Sequence, residues 1–170
     1  MVVLGILISQ ALILHIIERM IPVPVPVPGI KLGLANVVSL MTIAFFSAKE
    51  AVIVVILRTL LASVFGGGFS AFIYSLAGGL ISALVMALMY KKYGSIFSLP
   101  AISVVGAVFH NIGQLTVASL IVLNIKLFYY LPVLMISAVI TGLFIGFVAQ
   151  YTLQPMKYIL KLGSDEDVER

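Results

Sequence analysis

The sequence predicts an all-α, polytopic membrane protein, a six-transmembrane-helix bundle, and three observations predict it. Of its 170 residues, 62% are hydrophobic and 9% are charged, against roughly 45–50% and 25% in a soluble domain. The mean hydropathy is +1.26. The apolar runs are long and continuous, whereas the strands of a membrane β-barrel alternate polar and apolar residues in pieces of about ten. A span with its turn takes about 25 residues, so the length holds about six helices and no separate soluble domain. The absence of cysteine excludes disulfides, thiolate catalysis and sulfur-ligated metals. The formal charge of +4 comes from Lys and Arg scattered among the turns rather than gathered in a basic patch with interleaved aromatics, so no nucleic-acid partner is expected.

The first apolar run, Val2–Ile17, has no basic segment before it and ends on Glu18 and Arg19 instead of a small-residue cleavage site, so a retained helix is expected rather than a signal peptide. Ile21-Pro22-Val23-Pro24-Val25-Pro26-Val27-Pro28-Gly29 follows. Alternating Pro removes backbone donors and fixes φ, predicting an extended polyproline II segment with a rise of about 3.1 Å per residue. Such a segment is either a stiff spacer between helices or a rigid cover over a cavity. The second run is Ile30–Ser47, the third Ala51–Phe65, and Gly66-Gly67-Gly68 makes a tight turn into the fourth, Phe69–Tyr90. Ala71, Ser75, Gly79 and Ser82 form a small-residue stripe on the fourth run, and Gly142 and Gly146 repeat the spacing on the sixth, which lets helices approach closely in lipid. The fifth run is Pro100–Leu123 and the sixth Tyr129–Tyr151. A transmembrane domain over residues 1–155 and a charged tail over 156–170 are expected. Lys49, Lys91, Lys92, Lys157, Lys161 and Arg170 fall on one side of this layout, and Arg19, Lys31 and Lys126 on the other. The positive-inside bias then predicts that both termini are cytoplasmic.

An ionisable side chain at membrane depth costs about 2.5–3.5 kcal/mol on insertion scales, so each one needs a reason. Arg58 and His110 lie within the third and fifth runs, each about 14–15 Å from the cytoplasmic end at the helical rise, and are expected at one level of one cavity. His110 and Gln114 are four apart on one face, with Asn111 one step round and Gly106 and Gly113 leaving space beside them. This His-Asn-Ile-Gly-Gln run offers many donors and acceptors, either for a ligand or for contacts between helices. Arg58 either pairs with helix carbonyls or a neighbouring side chain or, since no acidic residue lies inside any predicted span, stands unpaired and favours an anionic ligand. Lys31 and Asn36, at the outer start of the second run with Gly29 and Gly33 nearby, would form the upper wall of an outward-open funnel, though snorkelling to the interface is the commoner fate of a lysine placed like Lys31. Two histidines in different places do not make a metal site, and no metal or other cofactor is expected.

Pro28-Gly29-Ile30-Lys31-Leu32-Gly33-Leu34-Ala35-Asn36, Arg58-Thr59-Leu60-Leu61, Ser75-Leu76-Ala77-Gly78-Gly79, Gly106-Ala107, His110-Asn111-Ile112-Gly113-Gln114, Tyr130-Leu131-Pro132 and Thr141-Gly142 together resemble the Gx transporter family. That family is also labelled heptaprenyl diphosphate synthase component I, and it resembles the substrate-binding S components of energy-coupling factor transporters. The resemblance covers nearly the whole chain. It implies a protein of the bacterial cell membrane that takes a cofactor- or vitamin-like solute from outside and docks on a transmembrane coupling subunit driven by two ATPases. Small residues on the first helix would serve that docking, and Gly5, Ser9 and Ala11 match in part.

The synthase label implies something different. Prenyl diphosphate synthases hold Mg²⁺ and diphosphate through paired aspartate-rich motifs, because that hard cation prefers carboxylate oxygens. Asp165 and Asp167 are the chain's aspartates and both lie in the charged tail, so at most an accessory subunit is expected, not an enzyme. No G-x-x-x-x-G-K-[ST] run occurs, so ATP hydrolysis would fall to partners. The leading expectation is a substrate-binding or transport component with Arg58, His110, Asn111 and Gln114 as the floor of its site and Lys31 and Asn36 as its wall. A flavin, a quinone precursor or a prenyl diphosphate would each fit. The alternative is an accessory membrane subunit of isoprenoid or menaquinone biosynthesis, or of extracellular electron transfer.

Overall fold

The computed structural model of the protein describes residues 2–18, 20–21 and 33–166. Arg19, the proline segment over 22–28 and Lys31 lie outside the described residues. Among the described residues six α-helices run in order: α1 Val2–Glu18, α2 Asn36–Phe45, α3 Ala48–Ala62, α4 Phe69–Tyr93, α5 Leu99–Val122 and α6 Leu131–Glu166. A π-helical turn, Ser63–Gly67, extends α3, and a 3-10 turn, Ile125–Tyr130, leads into α6.

The spans Phe69–Tyr93, Leu99–Val122 and Ile125–Leu153 are long and apolar enough to cross a membrane. The helix of 25 residues in α4 is about 37 Å long at the helical rise. The other half of the bundle is built from shorter pieces, with 17 residues in α1, 10 in α2 and 15 in α3. The second helix is the main departure from the sequence expectation. It begins at Asn36, not Ile30, because Gly33 adopts φ +87° and the chain turns through Leu34 and Ala35 before becoming helical. At ten residues α2 rises only about 15 Å, half the hydrocarbon thickness, so its N-terminus lies deep in the bundle. At the other end of the chain α6 continues unbroken past residue 155 to Glu166, so much of the expected charged tail is helical.

Local signals account for the ends. Ser47 caps α3: its hydroxyl accepts from the Lys49 N–H at 3.1 Å and donates to Glu50 Oε2, a capping-box arrangement. That hydroxyl, with the positive end of the helix, holds the exposed Glu50 carboxyl below the usual carboxylate range. Ser98 caps α5, with Pro100 in the first turn where its missing N–H costs nothing. Lys91 and Lys92 occupy the last turn of α4 and complement its dipole.

Small residues bring the long helices together. A Cβ on Gly142 of α6 would lie 2.6 Å from the Cα of Val104, and one on Gly146 would lie 2.2 Å from the Cα of Pro100. Gly113 of α5 approaches the Cα of Gly78 in the same way at 3.1 Å, and Gly106 abuts Met86. With no solvent to drive apolar faces together, such backbone-to-backbone approaches supply the dispersion contact that packs the bundle. The buried stripe of α1 is Leu7, Ala11, His15 and Glu18, at helical spacing, and it faces inward. Gly5 and Ser9 are exposed on another face, apart from buried Ala11.

Candidate functional site

Every polar group buried in the apolar core has to find a partner, and in this protein those groups converge. Arg58 of α3 is 1% exposed, and its Nη2 donates to the Asn36 Oδ1 of α2 at 3.1 Å. Asn36, the first residue of α2, is thereby joined directly to Arg58. Gly79 of α4 lets the guanidinium in: a Cβ there would lie 3.0 Å from Nη2.

Adjacent Gly78 does the same for α5. A Cβ on Gly78 would lie 2.7 Å from the Gln114 Cγ and 3.2 Å from the His110 Cε1. Two successive glycines of α4 thus seat Arg58 on one side and His110 with Gln114 on the other, at one level, as the depth arithmetic expected. Gly33 closes the ring, since a Cβ on it would meet the Asn36 Nδ2 at 2.8 Å and the His110 Cδ2 at 3.0 Å. Its positive φ and this crowding both exclude a side chain.

Asn111 is not part of this arrangement. It is fully buried, and its Nδ2 donates to the Leu134 carbonyl of α6 at 2.9 Å. One step round the helix separates a contact between helices from the central cluster.

The residue that sequence reasoning missed is Glu18. It is 2% exposed and its Oε1 accepts from the backbone N–H of Gly33 and from that of Leu34, the latter at 3.1 Å. It also interacts electrostatically with Arg58. Arg58 therefore has an acidic neighbour from outside its own span: Glu18, the last residue of α1, is buried and lies close enough to act on it electrostatically. A lone acid closing an apolar run and followed by a chain reversal was the available signal.

The cluster still carries spare donors. Among the described residues, Arg58 Nε and Asn36 Nδ2 are buried without a hydrogen-bond partner. Unpaired buried donors are costly, about 1–3 kcal/mol each, and call for an acceptor such as water or ligand oxygen. No group of three His, Asp or Glu side chains suited to a metal occurs among the described residues.

The family model for heptaprenyl diphosphate synthase component I matches residues 7–152. That stretch runs from α1 through most of α6 and includes Glu18, Gly33, Asn36, Arg58, His110 and Gln114. The chain belongs to this family. Neither the curated proteins nor the solved structures contain a match to it.

Proposed function

We propose that this member of the heptaprenyl diphosphate synthase component I family is a membrane-embedded ligand-binding component that takes a small solute with an anionic, oxygen-rich head from the outer side. The observation that carries this reading is the buried Arg58–Asn36 pair, with its two spare donors, Nε and Nδ2, in the middle of an apolar bundle. Packing alone would be served better by aliphatic side chains, since a buried ionic group seldom stabilises more than a well-packed apolar replacement. His110 and Gln114 supply further polar contacts around the head group, Asn36 orients it, and Lys31 lies two residues before the Gly33 turn in the sequence. The protein's part is binding and a change in exposure of the site. Energy for transport would come from partner ATPases on a coupling subunit, as in energy-coupling factor transporters. Both termini lie in the cytoplasm in this reading, by the distribution of Lys and Arg.

A second reading has its own observation. A largely apolar groove of about 530 Å³ opens between α1, α2 and α6, lined by Leu7, Val38, Met41 and Val148 with Gln10 and Thr152 as its polar residues. Among the described residues no Cα of α1 comes within 8 Å of one of α6, while α2 approaches both helices. A groove of this kind suits a prenyl or acyl chain, and an accessory subunit that presents a lipid intermediate to a synthase would use it.

Native mass spectrometry of the purified protein in detergent discriminates the two readings. A co-purified polar solute, lost in Arg58→Ala and kept in Lys91→Ala, is the expected result. A prenyl lipid retained in Arg58→Ala favours the second reading, and equal ligand affinity in both variants removes Arg58 from the site.

A further inference from the structure

We propose that the Glu18 carboxylate is an internal stand-in for the ligand's anionic group: it fills an oxyanion site at the entrance to α2, and an incoming phosphoryl group displaces it. This rests on the ligand-binding reading above and adds how the site stays closed when empty.

The local geometry is that of an anion site. Gly33 in a positive-φ conformation followed by the turn at Leu34 directs two successive backbone N–H groups to one point, a concavity of the kind that holds phosphates elsewhere. That point adjoins the N-terminus of α2, a helix of ten residues whose dipole is positive at this end and whose Ala35 cap offers no side-chain acceptor. Glu18 Oε1 takes both N–H groups.

The second, independent observation is the pair of buried donors beside it. The Asn36 Nδ2 flanks Gly33, Arg58 is bonded to the same Asn36 amide, and neither Nδ2 nor the Arg58 Nε has a hydrogen-bond partner among the described residues. All the unmet demand at this pair is for acceptor oxygens. A phosphoryl group brings three strong acceptor oxygens and can reach the two backbone N–H groups and the two side-chain donors together.

Displacement is also mechanically cheap. Glu18 is the last residue of α1, and Met20, just beyond, is 81% exposed; among the described residues this end is held by turn hydrogen bonds from the Met20 N–H to the Ile17 carbonyl and from the Ile21 N–H to the Glu18 carbonyl. Moving the carboxylate out requires opening one terminal turn, not unpacking a helix. No bond is made or broken: one anion replaces another at the same donors.

The test uses the full chain in phospholipid-free detergent, with inorganic diphosphate as the probe and calorimetry as the readout. Glu18→Gln keeps an acceptor oxygen for Gly33 and Leu34 but removes the competing charge, so it should bind diphosphate about tenfold more tightly than the wild type, and adding Arg58→Ala should abolish the gain. Equal or weaker binding by Glu18→Gln overturns the proposal. If Arg58→Ala still weakens the binding, the ligand site itself survives that failure.

A distance measurement separates displacement from simple removal of charge and covers the case of a poorly folding variant. The chain has no cysteine, so spin labels at Met20→Cys and Tyr129→Cys, both residues 81% exposed, report on the end of α1 in an otherwise natural protein. Saturating diphosphate should broaden or lengthen that distance; an unchanged distribution overturns the displacement. Repeating the titration with added phosphatidic acid distinguishes the source of the phosphoryl group. Competition identifies a lipid headgroup, its absence a free solute, and in both cases the Glu18→Gln gain must be present.

Discussion

The two halves of the bundle obey different physics. Helices α4, α5 and α6 are long, apolar and joined by glycines through near-contact of backbones, and Asn111 spends its amide on a single bond to the α6 carbonyl of Leu134. Helices α1, α2 and α3 are short, and where they meet they bury Glu18, Asn36 and Arg58 together. A long apolar helix satisfies its own backbone in lipid. A helix that starts at mid-depth leaves N–H groups exposed to hydrocarbon, and some other group must accept from them. Glu18 does so for the turn leading into α2. The short half is therefore where polarity is required, and where a ligand can be bound by exchange.

Several substitutions would break or sharpen this division. The largest effect is expected for Arg58→Ala, which leaves the buried Asn36 amide without its partner. Loss of a buried hydrogen bond to a charged group costs about 3 kcal/mol, so thermal unfolding in detergent should show a markedly weakened protein that has also lost its ligand. Gly146→Ala should come next, at roughly 1–3 kcal/mol, because the new methyl meets the Pro100 backbone and no side chain can swing aside. Ligand affinity in whatever folds should be unchanged, since the damage lies in the structural half. Affinity lost in step with stability would contradict the separation.

Gly33→Ala combines a positive φ with contact against Asn36 and His110. It should cost on the order of 1 kcal/mol or more and weaken binding, the reverse of the Gly146→Ala pattern. Asn111→Leu removes one hydrogen bond between helices, a loss of about 0.6 kcal/mol and at most about 1.7 in a membrane bundle. Its ligand affinity should match the wild type; a large loss would return Asn111 to the binding cluster. Lys91→Ala, in the last turn of α4 and exposed, should stay within about 0.5 kcal/mol and leave binding untouched.

The contrast also explains which parts were legible in advance. The long helices announced themselves, because length, continuous apolarity and glycine spacing are local properties of the chain. Arg58 and His110 could be placed at one level by counting residues from the helix starts, and Gln114 follows His110 onto the same face by periodicity. Asn111 was drawn toward the cluster only because it is next in sequence. The contact of Asn36 with Arg58 and the inward place of Glu18 are not legible in the linear sequence, and both have one origin: the second helix does not start where its apolar run starts.

Composition and periodicity by themselves determined a six-helix membrane bundle with a few ionisable groups at its centre, since burial in lipid is decided residue by residue and repeats along a helix. Which of those groups touch was decided only by the tertiary structure. The positive φ of Gly33 resets the depth of α2 and carries Asn36 down to Arg58, while the end of α1 turns Glu18 inward to the same place. Contacts between residues distant in sequence depend on where helices begin and how closely they pack, and neither is written in any one segment.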